Sequence, residues 1–153
     1  MTSAADDRDA ICQLKYRYMR LLDTKQWDAF ATCFAPDATA DYNGLAFADP
    51  GALVDYMRTN LGEGTITMHH VHHPEIELQG ETATGTWYLH DKVIVDAFRF
   101  ALEGAAIYTD RYIRIGGSWR ILRTEYVRTY ELTWSLDDPG NVKVQGPGKS
   151  THA

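Results

Sequence analysis

ATGTWYLHDKVIV, residues 83–95, is the stretch whose reading decides the fold. Its odd positions run Ala83, Gly85, Trp87, Leu89, Asp91, Val93 and Val95, a period of two that belongs to a strand with one apolar face. Asp91 stands on that face among its largest apolar side chains. A carboxylate there is paired, protonated or functional, because an isolated buried charge costs too much. Outward from this strand the same period continues from Gly64 onward, over roughly 65–79, 83–96, 104–115 and 118–134. The links are turn-like (Gln79-Gly80-Glu81, Gly104, Gly116-Gly117), so the spacing predicts an antiparallel meander.

Before Gly64 the period is helical. Ile11, Leu14, Tyr18 and Leu21 or Leu22 make one apolar stripe on a helix over about 6–23. A short second helix carries Trp27, Phe30, Ala31 and Phe34 and ends at Pro36, and a short strand follows over 38–42. Asp49-Pro50 is an N-cap and first helical position, with Leu53, Met57 and Leu61 as the stripe and Gly62 as the stop. Three helices preceding one curved, mainly antiparallel sheet make an α+β domain with a pocket between helix and sheet. The domain is expected over 1–136, with a loosely ordered tail over 137–153 that is rich in Gly, Pro and polar residues.

With 153 residues and 44% hydrophobic content the chain is long enough to bury a core of its own. Its net charge of -6, with basic residues scattered among acidic ones, speaks against nucleic acid as a partner. No apolar run is long enough to span a bilayer, and the acidic MTSAADDRD start is wrong for a secretory signal, so a cytoplasmic protein is expected. Cys12 and Cys33 read as core residues rather than as a disulfide.

Two further anomalies accompany Asp91. In the last strand the even positions read Leu122, Tyr126, Arg128, Tyr130, Leu132 and Trp134, which sets a guanidinium in an apolar row. Arg128 either pairs with Asp91 or binds an anionic or carbonyl group of a ligand, and the residues leave both open. The cluster MHHVHH over 68–73 places His70 and His72 on one face, but no spacing indicates a third metal ligand. A histidine acting as acid and base fits better, since imidazole exchanges a proton near neutrality and a carboxylate such as Asp91 would orient the ring. Most of the histidines read as surface residues. Tyr18 is either core or a phenol donating to an oxyanion on a ligand, and Tyr42 invites the same two readings. Asp23 lies about 140° around an ideal helix from Tyr18, so the two share a pocket only if the helix ends near Asp23.

The stretch YMRLLDTKQWDAFATCFAPDATADY, together with ITMHHVHHPEIEL, TATGTWYLHD and YTDRYIRIGGSWRILRTEYVRTYE, resembles SnoaL-like proteins of the nuclear transport factor 2-like superfamily. Within it the order and spacing are most similar to the bile acid 7α-dehydratase group and more distantly to scytalone dehydratase. The resemblance implies a cone-like α+β barrel and a cofactor-independent, metal-free hydro-lyase. Its catalytic residues would be Tyr18, Asp23, His69, Asp91 and Arg128, with His69 as base held by Asp91 and Tyr18 as oxyanion donor. Tyr42, His70, Trp87 and Tyr126 would bind an apolar small-molecule substrate. Simple alternation instead aligns His70 and His72 with the apolar positions, and a bulge in or just after the cluster would reconcile the two.

The substrate implied is a hydroxylated carbonyl compound that is steroid-like, bile-acid-like or polyketide-like. The stretch VDAFRFALEGAAIYTD is shorter than in the bile acid enzymes, which leaves the steroid open. A ketosteroid-isomerase-like enzyme would need Asp41 as base, where the alignment sets Tyr42, and a non-catalytic ligand-binding module is the reading from another class. An outward apolar row of Ile107, Ile113, Ile115, Trp119 and Ile121 suggests a homo-oligomer.

Overall fold

The computed structural model describes residues 2–147. Helix α1 (Ala4–Asp23) opens with a capping box in which the Ser3 and Asp6 side chains each bond the other residue's backbone N–H. Its stripe of Ile11, Leu14, Tyr18, Leu21 and Leu22 is buried as the periodicity requires. Helix α2 (Trp27–Ala31) is a single turn and a half, and strand β1 begins at Phe34 and runs to Tyr42. Phe34 and Pro36 therefore belong to a strand rather than to the expected second helix. A short strand β2 (Leu45–Phe47) folds back on β1, and α3 spans Pro50–Asn60 with the Asp49 carboxylate accepting from Ala52 N at 2.8 Å.

The four long strands are β3 (Thr65–Gln79), β4 (Thr82–Val95), β5 (Phe100–Ile115) and β6 (Ser118–Ser135), paired antiparallel in that order. The sheet order is β2-β1-β6-β5-β4-β3, with β1 parallel to β6, so the sheet is curved and open rather than closed on itself. The helices cover its concave face. Residues Asp138–Gln145 of the expected loosely ordered tail form a strand, β7, that pairs with β6 while staying exposed. The expected tail residues 148–153 lie outside the described residues. Among the described residues no helix is long and apolar enough to cross a membrane.

Three bulges decide which residues face inward. In β3, His72 pairs with Tyr88 and Glu75 with Thr86, so one extra residue sits at His73-Pro74, where His73 takes a left-handed φ of 53°. This is the reversal of facing that the histidine cluster called for. Thr67, His69 and Val71 face the concave side before it, and Ile76 and Leu78 after it. Strand β6 carries two more, around Leu122 and Thr129, so its inward phase is odd at Trp119 and Ile121, even at Thr124, Tyr126 and Arg128, and odd again at Glu131. The single even row read from the sequence thus holds only in the middle of the strand. Trp119 and Ile121 are buried core, which removes them from the outward row; Ile113 packs against that core, and Ile115 stays exposed.

Because the Asp49 cap satisfies a backbone donor that α3 would otherwise leave open, Asp49→Ala should cost about 1 kcal/mol. Urea unfolding should show a lower midpoint with an unchanged slope.

Candidate active site

Between the helices and the concave face lies a cavity of about 140 Å³ lined by Tyr18, Leu22, Tyr42, Tyr56, Met57, His69, Leu89, Asp91, Tyr108, Tyr126 and Arg128, among others. Of the nine residues singled out from the sequence, six line it: Tyr18, Tyr42, His69, Asp91, Tyr126 and Arg128. Asp23 stands directly behind His69. His70 and Trp87 are elsewhere.

The dyad is His69 with Asp23. The Nδ1 of His69 lies 2.7 Å from Asp23 Oδ1, and the backbone N–H of His69 donates to Asp23 Oδ2 at 2.8 Å. Thr67 donates to the same carboxylate at 2.9 Å and itself accepts from Lys25 Nζ at 2.8 Å. Helix α1 ends at Asp23, with Lys25 in the left-handed region, so the carboxylate projects from the helix end toward β3. A negative charge at a helix C-terminus opposes the macrodipole, and three polar contacts from β3 compensate for it. Half-burial raises the Asp23 carboxyl, but the hydrogen bonds and charge of His69 outweigh it and hold the group below its ordinary value.

Asp91 is not the partner of His69, although the two are directly opposed across β3 and β4. Both of its oxygens are taken by Arg128, Oδ1 by Nη1 and Oδ2 by Nη2 at 2.8 Å. The expected His69–Asp91 pair is therefore replaced by His69–Asp23 and Asp91–Arg128. Arg128 also reaches Glu131 at 3.4 Å, so its charge is spent on protein carboxylates and not held out for an anionic ligand. Burial works against the charged guanidinium, and the hydrogen bonds and charge of Asp91 more than offset it. At the bulge the Arg128 backbone N–H donates to Asn43 Oδ1 at 3.1 Å, which fixes where the guanidinium starts.

Tyr18 and Tyr42 share a hydrogen bond between their hydroxyls. One phenol donates to the other, so one proton is left for a ligand, and the accepting phenol becomes the better donor. Tyr126 stacks on Tyr42 with ring centroids 5.1 Å apart, and Tyr108 meets Tyr126 edge-on at 5.3 Å. Burial, with Tyr108 and Tyr42 beside it, pushes the Tyr18 phenol well above its ordinary range; burial pushes Tyr126 up to about 12. The phenols are neutral donors.

Trp87 is fully buried away from the cavity and donates Nε1 to the Tyr112 hydroxyl at 3.0 Å, which corrects its assignment to substrate contact. His70 is exposed on the convex face near His72 and His90, which corrects its assignment as well. Among the described residues no group of three His, Cys, Asp or Glu side chains could hold a metal ion as placed. Asp41 accepts from Gly44 N at 2.7 Å in the β1–β2 turn and does not reach the cavity, so the base an isomerase would need is absent from that position.

Sequence reasoning passed over Tyr108, Lys15, Asp110 and Glu131, and it read Gly104 as a link between strands, whereas Gly104 lies within β5 opposite Asp91. A signal for two of them existed: Ala106, Tyr108, Asp110 and Tyr112 share one phase of β5, which puts a carboxylate in an apolar row as at Asp91.

The family model of the SnoaL-like domain matches residues 3–125. The chain belongs to the SnoaL-like family. Among relatives, the uncharacterized protein Rv2910c of Mycobacterium tuberculosis is 24% identical over 136 residues, covering 86% of this chain and 92% of that protein. Among solved structures, a candidate scytalone dehydratase of Novosphingobium aromaticivorans superposes with a TM-score of 0.78 at 18% identity, covering 97% of this chain and 96% of that one. A hexachlorocyclohexane dehydrochlorinase of Novosphingobium barchaimii gives 0.76 at 18% identity, covering 85% and 91%. These likenesses establish the shared fold of the SnoaL-like domain.

Two outcomes follow from the site. A Cβ at Gly104 would lie 2.8 Å from the Tyr130 carbonyl and 2.9 Å from Arg128 Nη1. Gly104→Ala should lower stability in urea by about 1–3 kcal/mol and displace the guanidinium in a crystal structure. The depressed Asp23 carboxyl contributes stability that is fully present above the ordinary carboxylate range, around pH 4, and is lost as pH falls through its folded value. The difference in unfolding free energy between wild type and Asp23→Asn should therefore shrink in acid; a difference independent of pH would contradict the pairing.

Proposed function

We propose that this SnoaL-like domain is a cofactor-independent dehydratase acting on a hydroxylated carbonyl compound, with His69 and Asp23 as its acid-base dyad. The observation carrying this reading is the imidazole at the cavity wall whose Nδ1 is engaged by a carboxylate behind it. That contact leaves Nε2 as the nitrogen for a substrate proton and stabilises the imidazolium that forms. His69 removes the proton next to the carbonyl, and electron density moves to the carbonyl oxygen. The free phenol proton of the Tyr18–Tyr42 pair donates to that developing oxyanion. As the enolate collapses, the imidazolium returns its proton to the leaving hydroxyl, water departs, and a conjugated double bond remains.

Asp91 and Arg128 act on this reading as one rigid, internally neutralised wall of the cavity. The size of the cavity bears on the substrate. At about 140 Å³ it matches the roughly 150 Å³ apolar cavity that holds a single benzene. A single-ring or short polyketide-like hydroxyketone fits that space better than the four-ring bile acid skeleton suggested by the sequence resemblance.

The purified protein should be offered small β-hydroxyketones, polyketide-like hydroxyketones, hydroxylated 3-oxo-4-ene steroids and bile acid thioesters, with the absorbance of a newly conjugated product as readout. Turnover is expected with the small hydroxyketones. His69→Ala should then reduce kcat by about 10²–10⁴-fold while ligand binding and fold persist. Tight binding of one class with no product from any would favour a ligand-binding module instead.

A further inference from the structure

A second buried charge pair lies behind the cavity, and the reaction just described gives it no part. Lys15, one turn before Tyr18 on α1, and Asp110 on β5 are both fully buried, with Nζ 2.7 Å from Asp110 Oδ2. The same oxygen accepts from the Tyr112 hydroxyl at 2.7 Å, while Asp110 Oδ1 has no hydrogen-bond partner. The ammonium meets Asp110 as an ion pair without hydrogen-bond alignment and turns toward aromatic faces. It stands 3.5 Å from the ring centroid of Tyr108 and 4.7 Å from that of Tyr18. Both rings line the cavity.

Well-packed apolar residues in place of such a pair are often neutral or stabilising, so stability alone is a weak reason for it. Its placement supplies a better one. A positive charge against a phenol ring face stabilises negative charge on the phenol oxygen, and so strengthens the O–H as a donor. Asp110 hydrogen-bonds Tyr112 and neither cavity phenol, so it anchors the cation without taking the protons of Tyr18 or Tyr108.

We propose that Lys15, anchored by Asp110, is a positioning residue that polarises the cavity phenols Tyr108 and Tyr18 and so strengthens the donor offered to a substrate oxyanion. This rests on Tyr18 being that donor, as argued above. The other ionisable groups facing Tyr18 are Tyr42 from β1 and Tyr108 from β5. His69, Asp91 and Arg128 stand on the walls of the same cavity.

The test places 3,5-difluorotyrosine, whose phenol ionises near neutrality, at position 18 or at position 108. The ¹⁹F resonance is then titrated in the full chain, with Lys15–Asp110 intact or replaced by the neutral pair Lys15→Met, Asp110→Asn. The neutral pair removes an ammonium that favours the phenolate and a carboxylate that opposes it; with the ammonium against the rings, the net effect should be a fall in the phenol's ionisation constant of up to about tenfold, a shift of one pH unit, with the larger change at position 108, where the ammonium is nearer. In Tyr-containing protein the same pair should lower kcat and leave KM in place. Unchanged titrations, or a change at 18 exceeding that at 108, would overturn the proposal. The neutral pair Lys15→Gln, Asp110→Asn is the second variant, and failure of both to fold would assign the pair to stability alone. Because the titration needs no substrate, it stands whether or not dehydratase activity is found.

Discussion

One wall of the candidate site depends on a guanidinium that crosses a strand. Asp91 on β4 and Arg128 on β6 are separated by β5, two strand spacings or roughly 9.6 Å from backbone to backbone. They meet only because β5 presents Gly104, the register partner of Asp91, at the crossing. A side chain there would occupy the space of the guanidinium. Removing one partner would strand the other charge in a buried place, at a cost of about 3–5 kcal/mol. The pair, its glycine and the Asn43 contact to the Arg128 backbone therefore form a single device holding β4, β5, β6 and the β1–β2 turn in one register.

With that wall fixed, the character of the cavity is set by what is left unneutralised. Arg128 answers Asp91 and Glu131, and Lys15 answers Asp110, so the buried ions close among themselves. His69 and the Tyr18–Tyr42 pair remain as groups that can give or take a proton at the cavity surface. Asp23 reaches His69 from the end of α1, on the side away from the cavity, where it aligns the ring without occupying cavity space. The division between closed ion pairs and open polar groups lets a small pocket hold several charges and still offer an apolar, phenol-lined interior.

Much of this was legible in the residues. The change of period at Gly64, the Asp49-Pro50 helix start and the charge of Asp91 on an apolar face are local facts, and each was found where the pattern put it. His69 required more, because alternation favoured His70 until a bulge reversed the phase; the left-handed turn at His73 is that bulge. Trp87 was misread as a substrate contact because facing inward on β4 does not say which part of the interior a side chain reaches. The row in β6 failed twice because of two extra residues, each invisible in a pattern of period two: the one at Leu122 moved Trp119 and Ile121 into the core, and the one at Thr129 turned Tyr130 out of the row.

The sequence by itself determined the helix stripes, the strands, the α+β class and the placing of Asp91 and Arg128 in apolar rows, since these follow from periodicity and the cost of desolvating a charge. Only the tertiary structure decided who pairs with whom. Asp23 and Asp91 are both within plausible reach of a histidine on paper, and the choice between them rests on where α1 ends, on how β3 bulges and on a glycine in β5. Those are distances between elements far apart in the chain, and no local pattern encodes them.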